Sequence, residues 1–538
     1  MNRPRFFNAC VANGSEAGGV VQPYRDLPMT PHPSGASQTR SFTTVFLIEM
    51  WERFGYYGMA ALLVLFMIDK LGFADSHANL TWGAFTALVF SAPAIGGWIG
   101  DKVLGARRTM IFGACVLASG YLMLSIPFDS LGYLYAALGV IVVGNGLFKA
   151  NAANLVRRIY EGDDARLDSA FTIYYMSVNI GSTISMLATP WIKDHWGWHA
   201  AFAVCFAGMV LGLINFMVMR RTVGHIGSAP DDEPMMLSRF AAVAVGSVAL
   251  GLATVFVLQN EHVAAICVYA AGVAVLVIFG WMLLKCDRSE RSGLLAALIL
   301  TLQVILFFIF YQQMSTSLTL FALRNVDASF TLFNVTLFSW SAAQFQALNP
   351  LWIMLLSPFL AIAYTRLANS GHDIPIAAKY ALGFMVVALG FFVFAFSGRH
   401  AVDGRVSSWF MVSGYGLYSL GELLVSGLGL AMIAHYVPAR MSGFMMGAYY
   451  VATGVSQYLG SVVANFARMP SNDLGSLQSL PLYTKLFFGL GWLAAGGAAV
   501  AIILLPLLSR LSREHRRCVE AVRRGTDPYP RAKPASLQ

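Results

Sequence analysis

The 538 residues are 57% hydrophobic and only 12% charged, whereas soluble domains carry about 25% charged residues. That balance excludes a soluble globule, which could not bury so much apolar side chain and stay dispersed in water. A formal charge of +9 raises nucleic-acid binding as a reading, which the placement of the charges along the chain then disfavours.

Residues 1–41 carry Arg3, Arg5, Arg25 and Arg40 among prolines and glycines, with no apolar stretch before a cleavage site. They are expected to form a disordered cytoplasmic tail, not a signal peptide. From Phe42 to Leu511, long and nearly charge-free stretches recur between short polar joints. About 20 apolar residues in a helix cross the hydrocarbon layer. Backbone in lipid must satisfy its own hydrogen bonds, and continuous apolar runs select helices over a closed barrel. The predicted spans are 43–69, 79–102, 107–127, 132–156, 168–191, 198–219, 240–258, 263–284, 292–317, 349–366, 375–397, 407–434, 440–465 and 484–509. The chain thus reads as an all-α polytopic membrane protein with 14 transmembrane helices. They group as a six-helix bundle (42–222), a linker with an inserted helical pair (223–290), a second six-helix bundle (291–511) and a basic cytoplasmic tail (512–538).

With the N-terminus inside, most of the 36 Lys and Arg fall on the inner side, including Lys102, Arg107, Arg108, Arg157, Arg158, Arg220, Arg221, Arg288 and the Arg510–Arg524 cluster. The outer joints hold only Lys70, Lys193, Arg324, Arg399, Arg405, Arg468 and Lys485. This is the positive-inside bias, with both termini cytoplasmic. It explains the net charge without nucleic acid and points the basic tail at anionic lipid headgroups. The six cysteines are scattered without a CxxC, so neither a disulfide framework nor a thiolate metal site is suggested.

Five ionisable residues fall inside spans: Glu49, Glu52, Arg53, Lys149 and Glu422. Each costs about 2.5–3.5 kcal/mol in hydrocarbon even on the mildest scale, and marks function by default. All ten histidines lie in tails, joints or span ends, so carboxylates must carry any proton. In FLIEMWERFGYYG of the first span, Glu49, Glu52, Arg53, Tyr56 and Tyr57 share an arc of about 140°, with Gly55 and Gly58 on the far side for close packing. A purely structural ion network is the competing reading, and three ionisable groups with two phenols exceed what packing requires. In GNGLFKAN of the fourth span, Asn145 and Lys149 lie on one face. A buried lysine there pairs with a carboxylate or loses its proton, unless it snorkels to the inner interface. Glu422, in GELLVSGLGLAM, is the lone charge of its span, and the competing role is a bond to backbone or hydroxyl groups. Between the second and third spans, GGWIGDKVLGARR brings Gly96, Gly97, Asp101, Gly105, Arg107 and Arg108 into a tight charged turn suited to conformational gating.

Two six-helix halves about a central linker are the plan of the major facilitator fold, where substrate sits at the midplane between the halves. Glu49-x-x-Glu52-Arg53-Phe54 with Tyr56-Tyr57-Gly58 resembles the signature of the proton-dependent oligopeptide transporters, as does FTIYYMSVNIGS over Phe171–Ser182. GNGLFKAN, SLGELLVSGLGLAM and GGWIGDK are similar to segments of the same family, and the inserted pair is typical of its bacterial members. YQQMSTSL, QALNPLW and VPARMSGFMMG bring the match nearest to proteobacterial dipeptide and tripeptide permeases. The resemblance implies a proton-coupled symporter importing di- and tripeptides across the bacterial inner membrane by alternating access. It implies proton coupling at Glu49, Glu52, Arg53 and Lys149. The peptide carboxylate would go to Arg53 and Lys149, with Tyr57 lining the pocket, Asn179 and Asn349 holding the peptide backbone beside Tyr175, and Glu422 receiving the ammonium. No cofactor beyond the proton and a functional monomer are expected. Two positions depart from the family: Gln312 stands where many members have Glu, and Phe90 where many have Tyr.

A di- or tripeptide is a zwitterion, and recognising it takes a cation at one end, an anion at the other and amide partners between. Proton and substrate would favour each other if protonating a helix-1 carboxylate frees a cation for the peptide carboxylate. Pro93, Pro358, Gly427 and Gly429 are candidate bending points. The same fold could instead move nitrate, an amino-acid conjugate or a drug, although having both charge signs favours a zwitterion. An enzyme is not expected, since HExxH, GxSxG and clustered His and Asp are missing.

Overall fold

In the computed structural model the described residues are 37–524, apart from 129, 162–163, 334, 372–373, 426–435, 438 and 469–474. Most of the expected N-terminal tail, the end of the basic tail, Gly427 and Gly429 lie outside them. Among the described residues every predicted span falls on a helix: α1 (Gln38–Leu65, with a π turn Phe66–Lys70), α2 (Asp75–Ser91, resuming as Pro93–Lys102), α3 (Ala106–Ser125), α4 (Leu131–Ile159), α5 (Asp164–Trp196), α6 (Trp198–Met219), α7 (Leu237–Leu258), α8 (Glu261–Lys285), α9 (Arg288–Tyr311, continuing through Gln312–Met314 to Ser317–Asn325), α10 (Leu348–Asn369), α11 (Ile376–Ser397), α12 (Trp409–Val425), α13 (Ala439–Ala464) and α14 (Ser476–Arg523).

Ten of these are long and apolar enough to cross a membrane. The other four are α1, α5, α12 (described to Val425) and α13. Three of them, α1, α5 and α12, carry most of the expected site residues, which are too polar to face lipid. In the N-terminal half α1 packs on α5 and α6, and α3 on α4 and α6. Gly55 and Gly58 face Cys205 of α6 and Ser185 and Thr189 of α5, the close approach expected of them. In the C-terminal half α11 packs on α12 and α14, and α9 on α13 and α14. The halves meet along α2–α13 and α5–α10. The inserted pair spans that seam, α7 lying on α4 and α8 on α13.

Two features differ from the sequence expectation. The joint between α9 and α10 holds an antiparallel hairpin, β1 (Ser329–Leu332) and β2 (Val335–Ser339), whose Phe330 is buried among Phe338, Trp340, Phe345 and Trp409. α14 runs 48 residues, so Ser512–Arg523 of the supposed tail is helical. At 1.5 Å per residue it is roughly 70 Å long, more than twice the hydrocarbon thickness. A buried stripe of Leu508 and Leu511 continues into the extension as His515 and Cys518, which holds it to the protein while Arg513, Arg516 and Arg517 stay outside. Pro93 does interrupt its helix, opening the second piece of α2, whereas Pro358 sits within an unbroken α10.

Candidate functional site

The α1 charges face inward. Glu49, Glu52 and Arg53 are 3%, 0% and 3% exposed, which rules out a lipid-facing placement. Arg53 Nε lies 3.2 Å from Glu49 Oε1 and in contact with Glu52 Oε2, and its guanidinium stands 5.5 Å from the Tyr56 ring centroid. The i, i+4 spacing of Glu49 and Arg53 makes the first pair local, and the same Nε lies against the second carboxylate. From α4, Asn145 Nδ2 donates to Glu52 Oε1 at 3.3 Å. Tyr174 of α5 lies within electrostatic reach of Glu49.

Lys149 differs from the expected pairing. Its ammonium lies 4.6 Å from the Phe90 ring centroid, and it makes no salt bridge among the described residues. Phe90 thus meets that cation with its ring face. Glu422, 5% exposed, accepts a hydrogen bond from Asn349 Nδ2 at 2.7 Å, and Ser419 Oγ sits 3.1 Å from the same nitrogen. Asn349 is thus Glu422's partner in this state. Asn179 Nδ2 donates to Tyr175 O at 2.9 Å. Tyr57 and Tyr175 of the N-terminal half and Tyr311 of the C-terminal half all lie within electrostatic reach of Glu422. The substrate candidates Tyr57, Tyr175 and Glu422 are therefore brought together from opposite halves.

Gln312 Nε2 lies 3.2 Å from Thr86 Oγ1 and 3.1 Å from Ser461 Oγ, tying α9 to α2 and α13 with a neutral amide. No group of three or more His, Cys, Asp or Glu among the described residues could hold a metal ion.

In the glycine-rich turn, Asp101 accepts from Asn154 at 2.8 Å and has Arg158 at 3.8 Å. Arg107 and Arg108 point elsewhere. Arg107 donates to the carbonyls of Val223, Gly224 and Ile226, and Arg108 to those of Pro230, Asp231 and Glu233. The Asp231 carboxylate accepts the backbone N–H of both arginines and so caps α3, while Gly105 turns the chain there at φ 100°. The motif fastens the linker to the N-terminal half.

Sequence reasoning missed the seal at the end of the cleft away from the termini. Arg324 of α9 grips Asp75 of α2 with two bonds of 2.7 and 2.8 Å and donates to Tyr483 of α14. Asn79 donates to Asn465 Oδ1 at 2.9 Å, and Gln344 and Gln346 reach the carbonyls of Leu187 and Ala61. At the other end Phe171, Ile173, Tyr175 and Met176 are exposed over about 200° of the circumference of α5, opposite the buried Ala170 and Ser177. The available signal was Asp75 and Arg324 at helix ends near otherwise apolar spans.

The sequence profile of the POT family matches residues 107–483. Dipeptide and tripeptide permease B of Aliivibrio fischeri (strain MJ11) is 41% identical over 477 residues, 88% of this chain and 95% of that protein. Among solved structures, a bacterial homologue of the human drug peptide transporters superposes with a TM-score of 0.81 at 55% identity, covering 88% of this chain and 100% of that one. Tetrameric PepTSo2 does so with a TM-score of 0.81 at 55% identity, covering 88% and 99%. A profile that spans most of the chain, and relatives this similar over nearly their whole length, show that the chain belongs to the POT family of proton-dependent peptide transporters, with the major facilitator fold.

Proposed function

We propose that this protein is a proton-coupled symporter that imports di- and tripeptides by alternating access. The observation that carries the reading is the burial of opposite charges in facing halves of one cleft: Arg53 between Glu49 and Glu52 in α1, and Glu422 in α12, with Tyr57, Tyr175 and Tyr311 between them. A zwitterion fits that field, with its carboxylate toward Arg53 and Lys149 and its ammonium toward Glu422. Asn179 and Asn349 would bond the peptide backbone, and Asn349 must then share its amide with Glu422. Varied side chains are accepted because only the termini and backbone provide a common handle.

Coupling follows from competition for cations. With both α1 carboxylates ionised, the Arg53 charge is held between them; a proton on one of them loosens that hold and leaves the guanidinium freer for the peptide carboxylate, and bound peptide favours that protonation in return. Membrane potential adds about 2.3 kcal/mol per charge per 100 mV to the uptake of a neutral peptide with one proton. The halves (42–222 and 291–511) would rock about the midplane, joined by the linker and inserted pair (223–290), with Asp101, Arg107 and Arg108 holding the N-terminal half as one body. We place the protein in the bacterial inner membrane with both termini in the cytoplasm, which makes this state open inward, and place the C-terminal arginines against anionic lipid. The candidate residues of both halves come from one chain, which supports the monomer as the transport unit, and a tetramer would hold four. Uptake of a labelled dipeptide into proteoliposomes should rise several-fold with an inward proton gradient and be suppressed by unlabelled di- and tripeptides. Uptake indifferent to the gradient, or to competing peptides, overturns the proposal.

A further inference from the structure

We propose that Phe90 is a positioning residue for substrate: its ring face holds the Lys149 ammonium off the α1 carboxylates and keeps it charged and available to a peptide carboxylate. The inference rests on the reading of Lys149 as a carboxylate cation. The ammonium sits 4.6 Å from the Phe90 centroid, within cation–π range. It feels attraction from Glu52 and Glu49 and repulsion from Arg53, yet pairs with neither acid among the described residues. Both Glu52 oxygens are already engaged, one by Asn145 and the other by Arg53. An ion pair would neutralise the lysine, whereas a ring quadrupole attracts it and leaves its charge whole. Phenylalanine has no hydroxyl to draw the ammonium aside, so the ring face alone sets its position.

The ring is also placed where a conformational change would be felt. Phe90 contacts Phe308 of the opposite half with centroids 6.2 Å apart, and Phe308 contacts Tyr311 at 5.6 Å. Tyr311 in turn lies near Tyr57 and Glu422. Phe90, Phe308 and Tyr311 are half-buried, so they line the cleft and are not closed in a core. Rocking of the halves that moves α2 against α9 would move the ring, and the ammonium with it.

The test uses the full-length protein in proteoliposomes and measures competition with a labelled dipeptide by a free-acid dipeptide and by its C-terminal amide. Replacing Phe90 with mono-, di- and trifluorinated phenylalanine keeps the ring's outline while removing its electron-rich face. The preference for acid over amide should fall stepwise, about five- to tenfold at the trifluoro ring. Competition by the amide should hold steady. Phe90→Leu should behave as the trifluoro variant. An unchanged preference across the series, or equal loss of acid and amide, overturns the proposal. Lys149→Ala separates the two ideas. If it abolishes the acid preference while fluorination does nothing, Phe90 loses its role and the carboxylate reading stands. If Lys149→Ala leaves the preference intact, both fall.

Discussion

One guanidinium serving two carboxylates leaves α1 one positive charge short, and that imbalance makes Glu52 the residue on which coupling should turn. It is fully buried, its two oxygens bond Arg53 and Asn145, and Lys149 is close enough to be felt. A glutamine there keeps the shape and mimics a permanently protonated acid, while its amide can still accept from Asn145 or Arg53. Glu52→Gln should therefore cut uptake driven by a pH gradient by more than tenfold, because no proton need accompany the peptide. Exchange of internal for external peptide, which needs binding and reorientation without net proton movement, should persist. Gradient-driven uptake at the wild-type rate in proteoliposomes would remove Glu52 from the coupling. The trio itself was legible in the sequence, since three charges on one face of an apolar span cannot face lipid. The resting place of Lys149 was not, because a ring on another helix is a neighbour only after folding.

At the scale of elements, α2 and α4 show how tightly the N-terminal half is assembled. A Cβ on Gly96 would collide with the backbone carbonyl of Gly146, and Asn151 Nδ2 already donates to the Gly96 carbonyl at 2.9 Å. Backbone cannot yield as a flexible side chain can, so Gly96→Ala must push α2 from α4. A cost of about 1–3 kcal/mol is expected, read as a lowered melting temperature of the purified protein in detergent. An unchanged melting temperature would mean that this contact is looser than the geometry implies. The helices were legible because long apolar runs in a membrane have few alternatives. The hairpin was not: its SFTL and VTLFS segments are short, and one of the rings that enclose Phe330, Trp409 of α12, lies far along the chain. The extension of α14 was hidden for the opposite reason, its arginines masking a narrow buried stripe.

For the whole molecule, alternating access as proposed would require the contacts of Asp75, Arg324, Asn79 and Asn465 between the halves to break and reform in every cycle. The Asp75 and Arg324 side chains are only 2% and 11% exposed, so removing one partner strands a nearly buried charge, typically at a cost of about 3–5 kcal/mol to the state that contains the pair. Every 1.4 kcal/mol shifts a two-state equilibrium about tenfold, so Arg324→Ala should depopulate the sealed state heavily. Spin labels at the exposed Ala74 and Arg468 positions, beside α2 and α13 at that end, would report it. The short-distance population should fall and a longer one appear, and net uptake should slow because the outward-closed state is reached less often. Exchanging the two charges, Asp75→Arg with Arg324→Asp, should recover part of the short distance, since the attraction survives reversal although the bond to Tyr483 does not. If Arg324→Ala leaves the distance distribution unchanged, the pair is an ornament of this end and the amide contacts of Asn79, Gln344 and Gln346 hold the halves together by themselves. That outcome would also imply that a seal made of neutral hydrogen bonds suffices, and that charge in this protein is concentrated at the midplane where the proton and the peptide meet.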